Sequence, residues 1–493
     1  MYEYMAIEVF LIRNESRLTI VPAIEDVKKI LTYDKKVMEQ DPERPWIRRV
    51  RKVKRPAFRI KPGQGGDPDA ILTFPGFWKR VYEFFIKRGY TPTIKDLRQK
   101  FPKPMLDNMH GFRFSQKELL TKFLNADDSG LLGAPTRYGK TTLMINTLRA
   151  YPNLCTVVTA PGKDLIKQLY DDIRKAIPDR EVVLLGAGSK RRYPSDEITV
   201  CSMDSLDKCD TGKTRLLLID EPHAAVTDSR LPVIDGFDNA RRFGYGATLT
   251  GRFDNRDVLI EGLIGPVLAE RTYLEAVAEG AICPLTVIML NLKLGKHDFD
   301  PRWKRDKAYK NILHENPRVG QIVKKICLDV IPENWQTILF IRNEKQADFV
   351  IDYVGEEGTI AMAKKLTDKE RVEVMERMKD DDIKRCVASD IYSQGVTFSY
   401  VRAMVNVGGG GANTTTIQKP GRLAEVRPDK RCGVVFDIKF IPEDDVDMTT
   451  MGESRMVILD SEKRYQAYVD KGYKVISVNN FGELLESFKN ECL

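Results

Sequence analysis

Paired cysteines, clustered histidines and long apolar runs are all missing from this 493-residue sequence. Its eight cysteines (Cys155, Cys201, Cys209, Cys283, Cys327, Cys386, Cys432 and Cys492) are scattered, with no C-x-x-C pair. That spacing argues against a disulfide framework or a zinc site and leaves free thiols in a reducing cytoplasm as the expectation. Four histidines are too few for a histidine-rich metal centre. No apolar stretch is long enough to cross a membrane, and the first eleven residues, with Glu3 and Glu8, do not read as a signal peptide. No solenoid period repeats. Extreme charge is absent too: 79 Lys and Arg against 71 Asp and Glu leave a net +8, compatible with a polyanionic partner but not evidence of one.

What is present is a tandem of alternating patterns. At roughly 100–200 residues per domain the length allows two to four domains. Residues 5–12 and 17–21 read as short strands around an Asn14-Glu15-Ser16 turn, and residues 24–38 as a helix. A basic segment, residues 44–61, holds nine Lys or Arg, no acid, and the aromatics Trp46 and Phe58. It reads as a nucleic-acid-contacting arm, the plainer alternative being a solvated edge. A Gly/Pro-rich loop (62–68), a helix over 76–88 and a Pro-containing linker (101–104) close a small α+β accessory domain, residues 1–105. Apolar runs at 131–135, 155–160, 181–186, 198–202, 216–220 and 243–248 then alternate with helical stretches, which predicts a parallel sheet flanked by helices over 106–282. A second such series (from Leu285, then 336–341, 385–389, 403–408 and 433–438) predicts another over 283–445. Residues 446–493 read as a tail with a helix at 481–490.

Two short segments carry chemistry. Ala134-Pro135-Thr136-Arg137-Tyr138-Gly139-Lys140-Thr141 follows an apolar strand and opens a helix, the setting in which backbone N–H groups curl around phosphates. There Gly139 admits the backbone, Lys140 places a charge on the outer phosphates and the Thr141 hydroxyl can ligate Mg²⁺; Thr142 belongs to the same turn. The pattern is imperfect, with Ala134 where Gly is usual. A second Gly212-Lys213-Thr214 precedes a strand instead of following one and reads as a turn. Leu216-Leu217-Leu218-Ile219-Asp220-Glu221-Pro222-His223 delivers two carboxylates at the end of a buried strand, Asp220 for the metal and Glu221 to polarise water. Gly408 to Gly411 lacks a following Lys and reads as a flexible connection.

Asp220-Glu221-Pro222-His223 resembles the DEAH/DECH box of superfamily 2 helicases, and further family motifs follow in order over about residues 111–440. The resemblance implies two tandem RecA-like α/β domains that clamp ATP, with Arg113 and Gln116 reading adenine. Thr159 and Pro161 with Gln168 resemble motif Ia, and Ser202 lies in a segment similar to motif Ic; these touch nucleic acid in the family, as Arg252, Arg342 and Ser389 would here. Ala247 and Thr248 match the motif that couples hydrolysis to closure, with His223 as a further coupling residue. Gly395 falls in motif V, a nucleotide-contacting segment. Gln418 and Arg422 resemble motif VI, where an arginine finger reaches the γ-phosphate. The segment 70–96 and the small domain before the motor also resemble the front end of UvsW-type phage recombination helicases, which remodel forks and Holliday junctions. The resemblance therefore implies an ATP- and Mg²⁺-dependent DNA helicase of recombination, repair or replication, monomeric, in a bacterial host cytoplasm if phage-encoded, with replication or recombination proteins as partners.

Three departures stand out. Arg137 sits where the phosphate loop usually has a small residue. Thr397 replaces the acidic residue expected two positions after Gly395. Glu425 occupies the place of the second motif VI arginine, for which Arg427 is the candidate substitute. Two other readings stay open on the sequence: an RNA helicase, and a nucleic-acid-binding protein with an inactive motor.

Overall fold

The computed structural model describes residues 8–40, 48–249, 254–361, 367–380, 382–389, 400–411 and 413–493. The chain divides into two compact units, Met1–Ala134 with Gly139–Thr272, and Pro135–Tyr138 with Tyr273–Leu493.

The first unit begins with strands β1 (Phe10–Arg13), β2 (Leu18–Val21), β3 (Thr32–Gln40), β4 (Arg48–Pro56), β5 (Phe58–Lys61), β6 (Ala70–Thr73) and β7 (Thr93–Asp96). Five of them form a sheet in the order β5-β6-β2-β1-β7. β1 and β2 make the expected hairpin, closed by Asn14, whose Oδ1 accepts from the N–H groups of Ser16 and Arg17. The helix expected over 24–38 stops after Glu25–Ile30. From Thr32 the chain is instead extended and pairs antiparallel with β4 along all nine residues, Thr32 opposite Pro56 through Gln40 opposite Arg48. Thr32, Tyr33 and Val37 favour the strand, and the pairing outweighs a weak helical pattern.

The same unit then builds β8 (Gly130–Gly133), β9 (Thr156–Ala160), β10 (Val182–Leu185), β11 (Ile198–Ser202), β12 (Leu216–Asp220), β13 (Arg241–Gly246) and β14 (Val267–Glu270). They pair in the order β10-β11-β9-β12-β13-β8-β14, every pairing parallel. Continuous apolar runs such as Leu216–Ile219, buried throughout, are what a strand covered on both faces requires. The accessory sheet shares its core with this one: Leu11, Ile20, Phe77, Val81 and Phe85 pack in one cluster with Leu217, Ile219, Ile260 and Leu263. The approach is close enough to demand glycine, since a Cβ on Gly262 would sit 2.6 Å from the Phe77 ring.

The second unit repeats the plan with β15 (Leu285–Leu294), β16 (Gln336–Ile341), β17 (Thr359–Ala361), β18 (Arg385–Ser389), β19 (Val401–Asn406), β20 (Gly433–Pro442) and β21 (Lys474–Val478), all parallel, in the order β17-β18-β16-β19-β20-β15-β21. The two parallel sheets with their helices are tandem RecA-like domains.

The segment expected as a tail is part of this second domain. β21 pairs with β15, and the helix Arg455–Asp470 is pinned from inside. Buried Arg464 makes two 2.9 Å bonds to Asp437, which also accepts from Asn406 and Tyr468. The eight cysteines are free thiols. Among the described residues no helix is long and apolar enough to cross a membrane.

Candidate functional site

Parallel pairing puts the C-terminal ends of β8, β13, β12, β9 and β11 along one edge of the first RecA-like sheet, and that edge is where ligands bind in open α/β sheets. Each end carries one of the segments singled out in the sequence. The phosphate loop follows β8, Ala247-Thr248 follow β13, Asp220 ends β12 with Glu221 next, Pro161 follows β9 and Ser202 ends β11. Backbone bonds lock neighbours together: Ala134 N–H donates to Gly246 O at 3.0 Å, and Glu221 N–H to Tyr245 O at 2.9 Å.

The loop has the shape of a phosphate grip. Gly139 adopts φ +98° and precedes the helix Lys140–Ala150, so successive N–H groups face the loop's concavity at a helix N-terminus. Arg137 does take the left-handed conformation that its position put in question, at φ +72°. It belongs to Pro135–Tyr138, which groups with the second unit, and there its Nη2 lies 3.7 Å from Glu425 Oε2. Two of the departures noted above are thus each other's ionic partners. Tyr138, within the loop, is buried.

Opposite the loop, Lys140 Nζ lies 3.7 Å from Glu221 Oε1, and Glu221 Oε2 is 3.3 Å from His223 Nδ1. Glu221 is itself left-handed at φ +52°, a bend that turns its carboxylate toward Lys140 as the strand ends. Burial, then the neighbouring charge of Glu221, raises the Asp220 carboxyl well above the usual range, while Lys140 opposes the shift. A carboxyl in that setting favours a nearby cation. Among the described residues no cluster of three or more His, Cys, Asp or Glu is placed to hold a metal. The Thr141 hydroxyl and the Asp220 carboxyl are oxygen donors of the kind that would hold Mg²⁺ together with nucleotide phosphates and water.

Gln116 heads the helix Gln116–Asn125 and is buried. Its Oε1 accepts from Arg113 N–H at 2.9 Å, and a Cβ on Gly139 would stand 2.5 Å from its Nε2. The Gln element and the phosphate loop are therefore adjacent. Thr159 is buried within β9, whereas Gln168 is exposed on the helix Lys163–Ala176. Ser202 shares a hydroxyl bond with Ser205 at 3.1 Å. Thr248 is buried two residues beyond the end of β13. Arg252 lies outside the described residues. The second Gly-Lys-Thr forms a turn, with Asp210 Oδ1 accepting from the N–H groups of Gly212 and Lys213.

In the second unit Arg342 follows β16 and Ser389 ends β18, on neighbouring strands. Gly395 and Thr397 lie outside the described residues. Gln418 closes the helix Asn413–Gln418, Arg422 sits on the short turn Pro420–Leu423, and Arg427 stacks over Tyr400 at 4.8 Å with Asp429 3.7 Å away. Gly408–Gly411 is an irregular connection after β19, as expected.

Two positions were missed in the sequence. Buried Gln346 accepts from Arg342 N–H and donates to Val407 O, tying the ends of β16 and β19. Tyr245 and Thr147 share a 2.7 Å hydroxyl bond joining β13 to the phosphate-loop helix; burial holds the Tyr245 phenol far above its ordinary pKa. Neither has a local sequence signal, because each acts through a partner 61 or 98 residues away.

Residues 109–251 match the family model described as type III restriction enzyme, res subunit, and residues 321–426 match the helicase conserved C-terminal domain. Over 420 residues the chain is 22% identical to a protein of Sulfolobus islandicus filamentous virus named as a helicase, helicase 22 (77% of this chain, 74% of that one). It is 24% identical over 384 residues to the DNA 3'-5' translocase XPB2 of Sulfurisphaera tokodaii (70% and 85%). Among solved structures, T4 UvsW aligns over 96% of this chain and all of its own at 14% identity, with a TM-score of 0.42.

Proposed function

Because the chain belongs to the superfamily 2 helicases and is a nucleic-acid-dependent ATPase, we propose that it is a DNA motor that unwinds or remodels branched DNA, such as forks and Holliday junctions, in recombination, repair or replication. The observation that carries the DNA reading is the accessory region. Its five-stranded sheet is fused to the motor through one core, and the region bears two basic strands, β5 in that sheet and β4 in the separate β3–β4 pair, in which Arg51, Lys52, Lys54, Arg55, Arg59 and Lys61 are exposed. Such a surface neutralises phosphates without reading sequence. The similarity to a DNA translocase supports DNA over RNA.

In this reading the loop Ala134–Thr142 holds ATP, with Lys140 on its outer phosphates and Arg113 and Gln116 at the adenine. Thr141 and Asp220 hold Mg²⁺, which when bound draws charge from the transferring phosphoryl group. Glu221 orients the attacking water, and its contact with His223 steadies it. Gln418 and Arg422 complete the site, Arg422 as the arginine finger and Arg427 in the place of the absent second one. Gly395 contacts the nucleotide. Ala247, Thr248 and His223 relay hydrolysis to movement along a strand held by Thr159, Pro161, Gln168, Ser202, Arg252, Arg342 and Ser389. An inactive motor fits less well, since Lys140, Asp220 and Glu221 stand assembled within one site.

The test is ATP hydrolysis with single-stranded DNA, duplex, fork, four-way junction and RNA side by side. The reading expects DNA to stimulate and branched DNA to be unwound. Stimulation by RNA alone would replace it with an RNA helicase, and junction binding without turnover with a binding protein.

A further inference from the structure

Among the described residues the ribbon β3–β4 stands apart from the five-stranded sheet, its two strands pairing with each other. Nine residues per strand at about 3.4 Å each make an arm about 30 Å long. Alternation sends its side chains to two faces. Lys36, Lys52 and Lys54 share one face with Asp34; Lys35, Arg51 and Arg55 share the other with Glu39. Each face is net cationic, and Arg51, Lys52, Lys54 and Arg55 are exposed. A two-stranded ribbon is one of the few elements that fits the major groove of duplex DNA, and one that is cationic on both faces meets phosphates on both groove walls.

The root of the arm is tied to the motor at two points. Lys36 N–H donates to Asp254 O at 3.3 Å, and Lys35 Nζ lies 3.3 Å from both Asp228 carboxylate oxygens. Asp228 also takes the buried Arg256 guanidinium at 2.7 and 2.8 Å, and Arg256 in turn donates to Val226 O. These anchors sit just beyond the two segments leading out of the nucleotide site. Ala225 and Val226, fully buried, connect Glu221-Pro222-His223 to Asp228, and Asp254 and Arg256 follow the Ala247-Thr248 segment. The Asp228 carboxylate is 81% exposed, so its pairs are of the weak, exchangeable kind that can be remade during a cycle.

We propose that β3–β4 is an arm that engages the duplex portion of a branched DNA, and that Asp228 is a positioning residue that latches the arm's root to the segments leaving the acidic box and the Ala247-Thr248 turn. This rests on the DNA-motor reading, and one experiment separates the two. The full chain is compared with the quadruple variant Arg51→Ala, Lys52→Ala, Lys54→Ala, Arg55→Ala and with Asp228→Asn. The readouts are thermal unfolding, affinity for a 30-base-pair duplex against salt, ATP hydrolysis on single-stranded DNA, and fork unwinding per ATP.

The quadruple variant is expected to lose at least about tenfold in duplex affinity at 0.15 M salt, with the slope of log affinity on log salt falling by about 3. Its thermal unfolding should match that of the unaltered chain, which places the loss in the surface and not in the fold. Asp228→Asn is expected to keep duplex affinity and hydrolysis but to unwind about fivefold less DNA per ATP, a ratio that simple loss of stability would not move. Unchanged duplex affinity and slope in the quadruple variant would overturn the arm. Unchanged unwinding per ATP in Asp228→Asn would overturn the latch. Absence of DNA-stimulated hydrolysis in the unaltered chain would instead overturn the motor reading.

Discussion

Removing the Asp128 carboxylate should loosen the accessory sheet from the motor. Asp128 lies two residues before β8, the strand that leads into the phosphate loop. Its two oxygens accept from Arg13 Nη2 at 3.0 and 2.8 Å, and Arg98 Nη1 donates to it at 2.7 Å. The Arg13 and Asp128 side chains are only 9% and 10% exposed, and the Arg13 guanidinium lies 3.9 Å over the Trp78 ring. In Asp128→Ala, Arg98 keeps its bonds to Asp96, but Arg13 is left with Asp96 no nearer than 3.9 Å. Stranding one partner of a buried pair costs about 3–5 kcal/mol, and the residual partners place this case near 3. At about 2 °C per kcal/mol for a unit of this size, the first thermal transition should fall by about 6 °C. Thermal unfolding of the unaltered chain, Asp128→Ala, Arg13→Met and the double variant gives the coupling directly. It should exceed about 1 kcal/mol. A coupling below about 0.3 kcal/mol would refute the view that this pair clamps the two sheets.

Arg137→Gly removes both a left-handed non-glycine residue and a half-buried 3.7 Å ion pair with Glu425, effects of about 1 kcal/mol each and opposite in sign. Its melting temperature and kcat for ATP should therefore stay close to those of the unaltered chain; a tenfold fall in kcat would mean that Arg137 itself acts on the phosphates. Asp437→Ala strands buried Arg464 and should cost about 3–5 kcal/mol in denaturant unfolding; a loss below 1 kcal/mol would show that residues 446–493 are held by other contacts. Burial lowers the pKa of His314, whose Nε2 meets Gly408 O at 3.2 Å. The folded chain then binds fewer protons than the unfolded one just below pH 6.5, so stability should fall as pH drops from 7 to 5. His314→Gln should flatten that fall in pH-dependent thermal unfolding; an unaltered slope would exclude His314 as a source.

The motor was legible in the sequence because its chemistry sits on strand ends. A buried run such as Leu216–Ile219 announces a central parallel strand, and the carboxylates after it announce an edge. The ribbon was not legible. Half-buried at most of its described side chains, β3 has no apolar alternation to betray a strand, and only pairing with a basic segment eight residues on fixes it. β14, β17 and β21 escaped for a related reason: they are short strands at sheet edges, half covered and weakly patterned. The anchors Asp128 and Asp228 carry no motif, and Arg13 and Lys35, their partners, lie 115 and 193 residues away.

The central claim is that Lys140 and Glu221 form one ATP-hydrolysing centre driven by nucleic acid. Steady-state hydrolysis by the unaltered chain, Lys140→Ala and Glu221→Gln, each with and without single-stranded DNA, tests it most directly. The account predicts stimulation by DNA and a loss of at least about 100-fold in both variants. Hydrolysis that ignores DNA, or that survives either substitution, would contradict it.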